Sequence, residues 1–127
     1  CAKQAHWNVR GPNFQGLHEL FDLIAAETRR WSDLLAERAV TLGGTAHGTV
    51  QDVASGSKLS PFPTDERNWE ALCKQMHSRM LAAAESFRTL ASSLDDELAT
   101  QDLCIEIMRG LEMRAWMVDA HLGMNSR

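Results

Sequence analysis

Proline occurs only at positions 12, 61 and 63 of this 127-residue chain, and the glycine-rich breaks fall at Gly11-Pro12, Gly43-Gly44 and around Gly56. Long stretches free of helix breakers lie between them, which leaves few folds other than a bundle of long helices. A first helix ends near Arg10. A second runs from about Phe14 to Leu42, where Gly43 takes the left-handed stop position. Within it Leu17, Leu20, Phe21, Ile24, Thr28, Trp31, Leu35 and Leu42 recur every three or four residues, an apolar stripe of helical period. A third helix is expected to open after Pro63, with Thr64 and Asp65 at its start, and to continue to about Leu94 on a stripe of Trp69, Leu72, Met76, Met80, Ala83, Phe87, Leu90 and Leu94. A fourth starts near Thr100 and carries Leu103, Ile107, Leu111, Val118 and Leu122 towards the C-terminus. No alternating β-branched run signals a strand, and tyrosine is missing altogether.

Four such helices predict an all-α, single-domain four-helix bundle over residues 1–127. The connector from Gly43 to Thr64 is too long for a hairpin. Roughly 22 residues extend to about 70 Å, more than the ~40 Å length of the second helix. The second and third helices are therefore expected to run parallel, joined by a crossover carrying a short helix around Thr49 to Ala54. The segment Cys1 to Trp7 reads as helix without a start signal, so the first helix is expected to be truncated.

Apolar residues make up 44% and charged residues 24% of the chain, ordinary for a folded soluble protein. No apolar run is long enough to span a membrane. Cys1, Cys73 and Cys104 show no CxxC spacing and an odd count, which argues against a disulfide framework or zinc ribbon and suits a reducing cytoplasm. Cys73 and Cys104 fall within apolar helical patterns and are read as small buried hydrophobes.

On a helical wheel of the second helix, Asp22 falls about 40° from His18, Asp33 about 60° and Glu37 about 100°, away from the apolar stripe. Ala25, Ala26, Ala36 and Val40 lie between them on the same face, small enough to admit another surface. His18 and Asp22 are four residues apart, as are Asp33 and Glu37, so each pair meets on adjacent turns. Imidazole with carboxylate suits iron, manganese or zinc. The two pairs cannot share an ion within one chain, because His18 and Asp33 lie about 22 Å apart along the helix and metal–ligand bonds are about 2 Å. A two-fold axis crossing this helix would bring the His18 end of one chain to the Glu37 end of another. His6, just before the Gly11-Pro12 turn, can fold back beside His18. A solvated polar face is the simpler alternative, and geometry alone does not displace it.

The segment Lys3-Gln4-Ala5-His6-Trp7-Asn8-Val9-Arg10-Gly11-Pro12-Asn13-Phe14, then Leu17-His18-Glu19-Leu20-Phe21-Asp22, then Asp33-Leu34-Leu35-Ala36-Glu37-Arg38-Ala39 to Leu42-Gly43-Gly44, resembles the Dps signature of the ferritin-like superfamily. The match is dense over residues 3 to 44 and collinear through Pro63-Thr64-Asp65 and Thr100-Gln101-Asp102-Leu103. The resemblance implies a ferroxidase whose iron ligands are His6, His18 and Asp22 of one subunit with Asp33 and Glu37 of its two-fold mate. It further implies a hollow cytoplasmic dodecamer that oxidises Fe(II), preferably with hydrogen peroxide rather than oxygen, and stores ferric mineral. Trp7 resembles a tryptophan near that site, as a radical trap or as a packing residue. Asp95, Asp96, Glu97 and Asp102 fall where the family forms a three-fold pore, though an acidic loop before a helix is also ordinary capping. His47, His77 and His121 lack partners at ligand spacing. Relatives of this family often coat DNA, and a structural DNA-compacting role is the competing reading. A net charge of −4 and three lysines do not support it.

Overall fold

A computed structural model describes residues 1–123. Among them are five helices: α1 (Ala2–Asn8), α2 (Phe14–Thr41), α3 (Val50–Gly56), α4 (Trp69–Ala91) and α5 (Leu98–Leu122). No strand is present among the described residues, and the only bridge is a parallel one between Arg10 and Asn68.

That bridge fixes the topology. It sets the starts of α2 and α4 side by side, so the two helices run parallel and the crossover is of the expected kind. Helix α5 returns antiparallel to α2, since Glu27 pairs with Arg114, Arg30 with Glu106 and Arg38 with Glu97. In the crossover, α3 is opened by a capping box in which Thr49 and Asp52 satisfy each other's backbone N–H groups. None of its residues is buried.

One core joins the helices: Ala5 and Val9 of α1, Leu17, Phe21, Ile24 and Trp31 of α2, Leu72, Met76, Met80 and Ala84 of α4, and Ile107, Leu111, Ala115 and Val118 of α5. Cys73, within this core, and Cys104 are fully buried, and burial pushes the Cys73 thiol up to about 11. Gly110 leaves the space into which the Trp31 ring packs.

Several boundaries differ from expectation. Helix α4 begins at Trp69, not after Pro63, because Arg10 N–H donates to the Arg67 carbonyl (2.8 Å) and holds the preceding chain extended. Asn68 caps it instead, its side chain accepting from Ala71 N–H at 3.0 Å. It ends at Ala91, whose carbonyl accepts from Gln101 Nε2 (2.9 Å), and not at Leu94. Helix α1 ends at Asn8 because Arg10 is drawn into the bridge, and α5 starts at Leu98, two residues early. Leu42 and Leu90 are exposed despite their place in the stripes, and Ala25, expected on the ligand face, is buried in the chain's own core.

Candidate metal centre

The site is set by the reversal between α1 and α2. Gly11 has φ +120°, a conformation that side-chain-bearing residues rarely adopt, and Asn13 sits at φ +62°, which asparagine tolerates. The turn folds α1 back along α2, so that His6 meets His18 and Lys3 meets Asp22.

The two imidazoles stack, with ring centroids 3.8 Å apart and planes inclined by 21°. Each is locked by the other's backbone: His6 Nδ1 donates to the His18 carbonyl (2.7 Å) and His18 Nδ1 to the His6 carbonyl (2.8 Å). A carbonyl oxygen can only accept, so Nδ1 carries the proton in both rings. The lone pair of each neutral ring is then at Nε2, a tautomer that can ligate a metal through that atom. Phe14 stacks on the outer face of His18 at 5.2 Å. His6 is 9% exposed, so the pair is held by packing as well as by hydrogen bonds.

Asp22 stands beside them, half-exposed, with Lys3 Nζ 2.5 Å from its Oδ1. The Lys3 hydrogen bond, with the Lys3 charge behind it, outweighs desolvation and holds its carboxyl below the usual carboxylate range. It therefore presents an ionised oxygen to a cation. Neither Lys3 nor Phe14 carried a signal in helical periodicity; both become visible only when α1 is folded onto α2.

Asp33 and Glu37 are exposed and stay with the far half of α2, about 22 Å and about 28 Å from His18 by helical rise. Glu37 borders a shallow cavity of about 480 Å³ with Ala36, Val40, Thr41 and Ala46. So the chain brings together His6, His18 and Asp22 but not Asp33 or Glu37, and among the described residues no three His, Cys, Asp or Glu side chains form a metal-binding group. Imidazole and carboxylate are donor types that suit a borderline divalent ion.

Elsewhere, Trp7 is 62% exposed and His47 is exposed. His121 lines an apolar recess with Leu20, Trp116, Met117 and Ala120. Glu97 is engaged by Arg38 (2.7 Å), which also donates to Thr100 Oγ1 at 3.0 Å. This leaves Asp95, Asp96 and Asp102 as the exposed carboxylates of the acidic group. No helix among the described residues is long and apolar enough to cross a membrane.

Comparison with known proteins places this geometry. The ferritin-like domain family matches residues 2–126. The DNA protection during starvation protein of Agrobacterium fabrum is 35% identical, over 94% of this chain and 75% of that protein. Among solved structures, an N-terminal deletion mutant of Dps from Mycobacterium smegmatis superposes with TM-score 0.91 at 32% identity, covering 98% of this chain and 84% of that one. Dps from Microbacterium arborescens in the high iron form gives 0.89 at 36% identity, covering 97% and 81%. The chain belongs to the ferritin-like family and, within it, to the Dps proteins.

Proposed function

We infer that this protein is a ferroxidase and iron-storage miniferritin, whose oxidation site is completed between two copies of the chain. The observation that carries the reading is the reciprocal locking of His6 and His18, which engages both Nδ1 atoms and leaves Nε2 as the unprotonated nitrogen of each ring. The name and the high-iron state of its relatives point the same way.

Fe(II) is the substrate. His6, His18 and Asp22 bind it from one chain, and Asp33 and Glu37 of the partner subunit close the shell. The imidazoles retain Fe(II), while the carboxylates favour the harder Fe(III) product. Two Fe(II) ions each give one electron to one hydrogen peroxide, which with two protons becomes two waters. Both electrons leave together, so no hydroxyl radical is released, and DNA is protected without being coated. The assembly would be a cytoplasmic dodecamer of 23 symmetry, in which Asp95, Asp96 and Asp102 gather cations by field focusing.

Mixed oligomers test the shared site. His18→Ala and Glu37→Ala homo-oligomers should each lose fast iron oxidation. In a mixed dimer one site inherits both lesions and the other none, so co-assembled variants should recover up to about half of the sites in each mixed dimer. Absence of recovery in verified mixed dimers would sink the two-fold arrangement.

A further inference from the structure

We propose that the chain from Thr64 to Trp69 is a register clamp for the metal site, in which Gln4 and Trp69 are positioning residues that hold His6 against His18. The proposal rests on the reading of His6, His18 and Asp22 as iron ligands and adds what keeps them in place. On a helical wheel of α1, Lys3 falls about 60° from His6, whereas Gln4 and Asn8 each fall about 160° away. One face of α1 therefore carries the groups that meet α2, and the opposite face can be gripped from behind. The grip is visible. Gln4 Nε2 donates to the Thr64 carbonyl (2.9 Å), and Asn8 Nδ2 donates to the Gln4 carbonyl (2.9 Å). Arg10 N–H donates to the Arg67 carbonyl (2.8 Å), and the Trp69 ring lies where a side chain on Gly11 would begin.

These contacts share one register. As the clamp advances from Thr64 to Arg67 to Trp69, the residue it meets advances from Gln4 to Arg10 to Gly11, in the parallel sense of the Arg10–Asn68 bridge. A slip of α1 by one turn, about 5.4 Å, would break both hydrogen bonds and carry His6 out of reach of the His18 carbonyl. The clamp is itself fixed to α4 at both ends. Arg79 donates to the Ser60 and Pro61 carbonyls, both at 3.0 Å, and stands over the Phe62 ring at 5.2 Å. At the other end Glu66 Oε1 accepts from the N–H groups of Arg67 (2.9 Å) and Asn68 (2.8 Å), and Trp69 opens α4. The site is thus braced on one side by α2, through the ligands, and on the other by α4, through residues that touch no metal ion. Linkage makes the coupling reciprocal: what holds α1 in register raises metal affinity, and metal bound to His6 and His18 steadies the clamp.

Metal titration and hydrogen exchange on the assembled protein test the clamp. Gln4→Met keeps the length of the side chain but not its donor, and Trp69→Leu takes the ring off Gly11. Gln4→Met should weaken Co(II) binding, read from its absorbance with the metal alone, by about two- to tenfold, the range that one hydrogen bond is worth. Trp69→Leu should weaken it at least as much, and Trp69→Phe, which keeps a ring over Gly11, should restore it. Amide exchange of residues 2–12, followed by mass spectrometry, should quicken in Gln4→Met without metal and slow in the unmodified protein when Co(II) is added. Gly110→Ala, a packing lesion against Trp31 in the other half of α2, should leave Co(II) affinity unchanged, which separates positioning from a general loss of stability. Wild-type Co(II) affinity in both Gln4→Met and Trp69→Leu would overturn the clamp while leaving the ligand reading standing, and so would an equal loss in Gly110→Ala. Absence of Co(II) uptake by the unmodified protein would sink the ligand reading and the clamp with it.

Discussion

Replacing Gly11 by alanine should damage the fold and the metal site together, because the turn at Gly11 is what sets α1 against α2. At φ +120° a residue with a side chain stores strain of about 1–3 kcal/mol. The new Cβ would also stand 2.6 Å from Cδ1 of Trp69, and relieving such an overlap costs about 1–3 kcal/mol. Against this, alanine restricts the unfolded chain and returns about 0.4–1 kcal/mol. The net loss is about 1–6 kcal/mol, which at fixed chain concentration lowers Tm by several degrees or more. Gly43→Ala provides the comparison: its φ is +86° but no atom of the chain lies within 4 Å of the added Cβ, so it carries strain without overlap. Thermal unfolding followed by circular dichroism should rank Gly11→Ala as clearly the more damaging. Only Gly11→Ala should weaken Co(II) binding, since only that turn holds His6 against His18. Equal losses in the two variants, or intact Co(II) affinity in Gly11→Ala, would refute the reasoning.

Gly110→Ala should destabilise by about 1–2 kcal/mol in chemical denaturation, although the same change in an open helix gains about 1 kcal/mol; the Cβ would overlap Cζ2 of Trp31, and a gain in stability would contradict the packing described. Stopped-flow absorbance should show bound Fe(II) oxidised faster by hydrogen peroxide than by oxygen, with spin-trapped hydroxyl radical reduced by the protein; an equal radical yield with and without it would remove the detoxifying role. At about 0.15 M salt the 127-residue chain should give no gel shift with DNA, because phosphate binding requires a basic patch and the net charge is −4.

Much of the fold could be read from residue spacing because its signals are local. The α2 stripe, the stop at Gly43 and the short helix around Thr49 to Ala54 each depend on nearby neighbours. The start of α4 does not. Thr64 and Asp65 have the chemistry of a helix cap, and so does Asn68; the choice between them is made by Arg10, far away in sequence, whose N–H binds the Arg67 carbonyl. Exposure of Leu42 and Leu90 has a related cause: a stripe records which residues could be covered, not how far the neighbouring helices reach along it.

The site was legible in its residue types and opaque in its geometry. Spacing paired His18 with Asp22 and Asp33 with Glu37, and the position of His6 before a turn allowed it to fold back. Spacing could not show that each histidine would bond the other's carbonyl, since that depends on the antiparallel register of α1 and α2 and on both ring rotations. Lys3 was silent for the same reason: its ammonium reaches Asp22 only across that register. The gap between the two ligand pairs is of another kind. Helical rise puts about 22 Å between them, a distance no rotation of side chains removes. Either the pairs are unrelated or the chain is half of the object that works. The locked tautomer favours the second, because it leaves Nε2 of each ring as the nitrogen open to a metal, such a site binds well only when further oxygens complete the shell, and the exposed Asp33 and Glu37 are oxygens of that kind on the same helix.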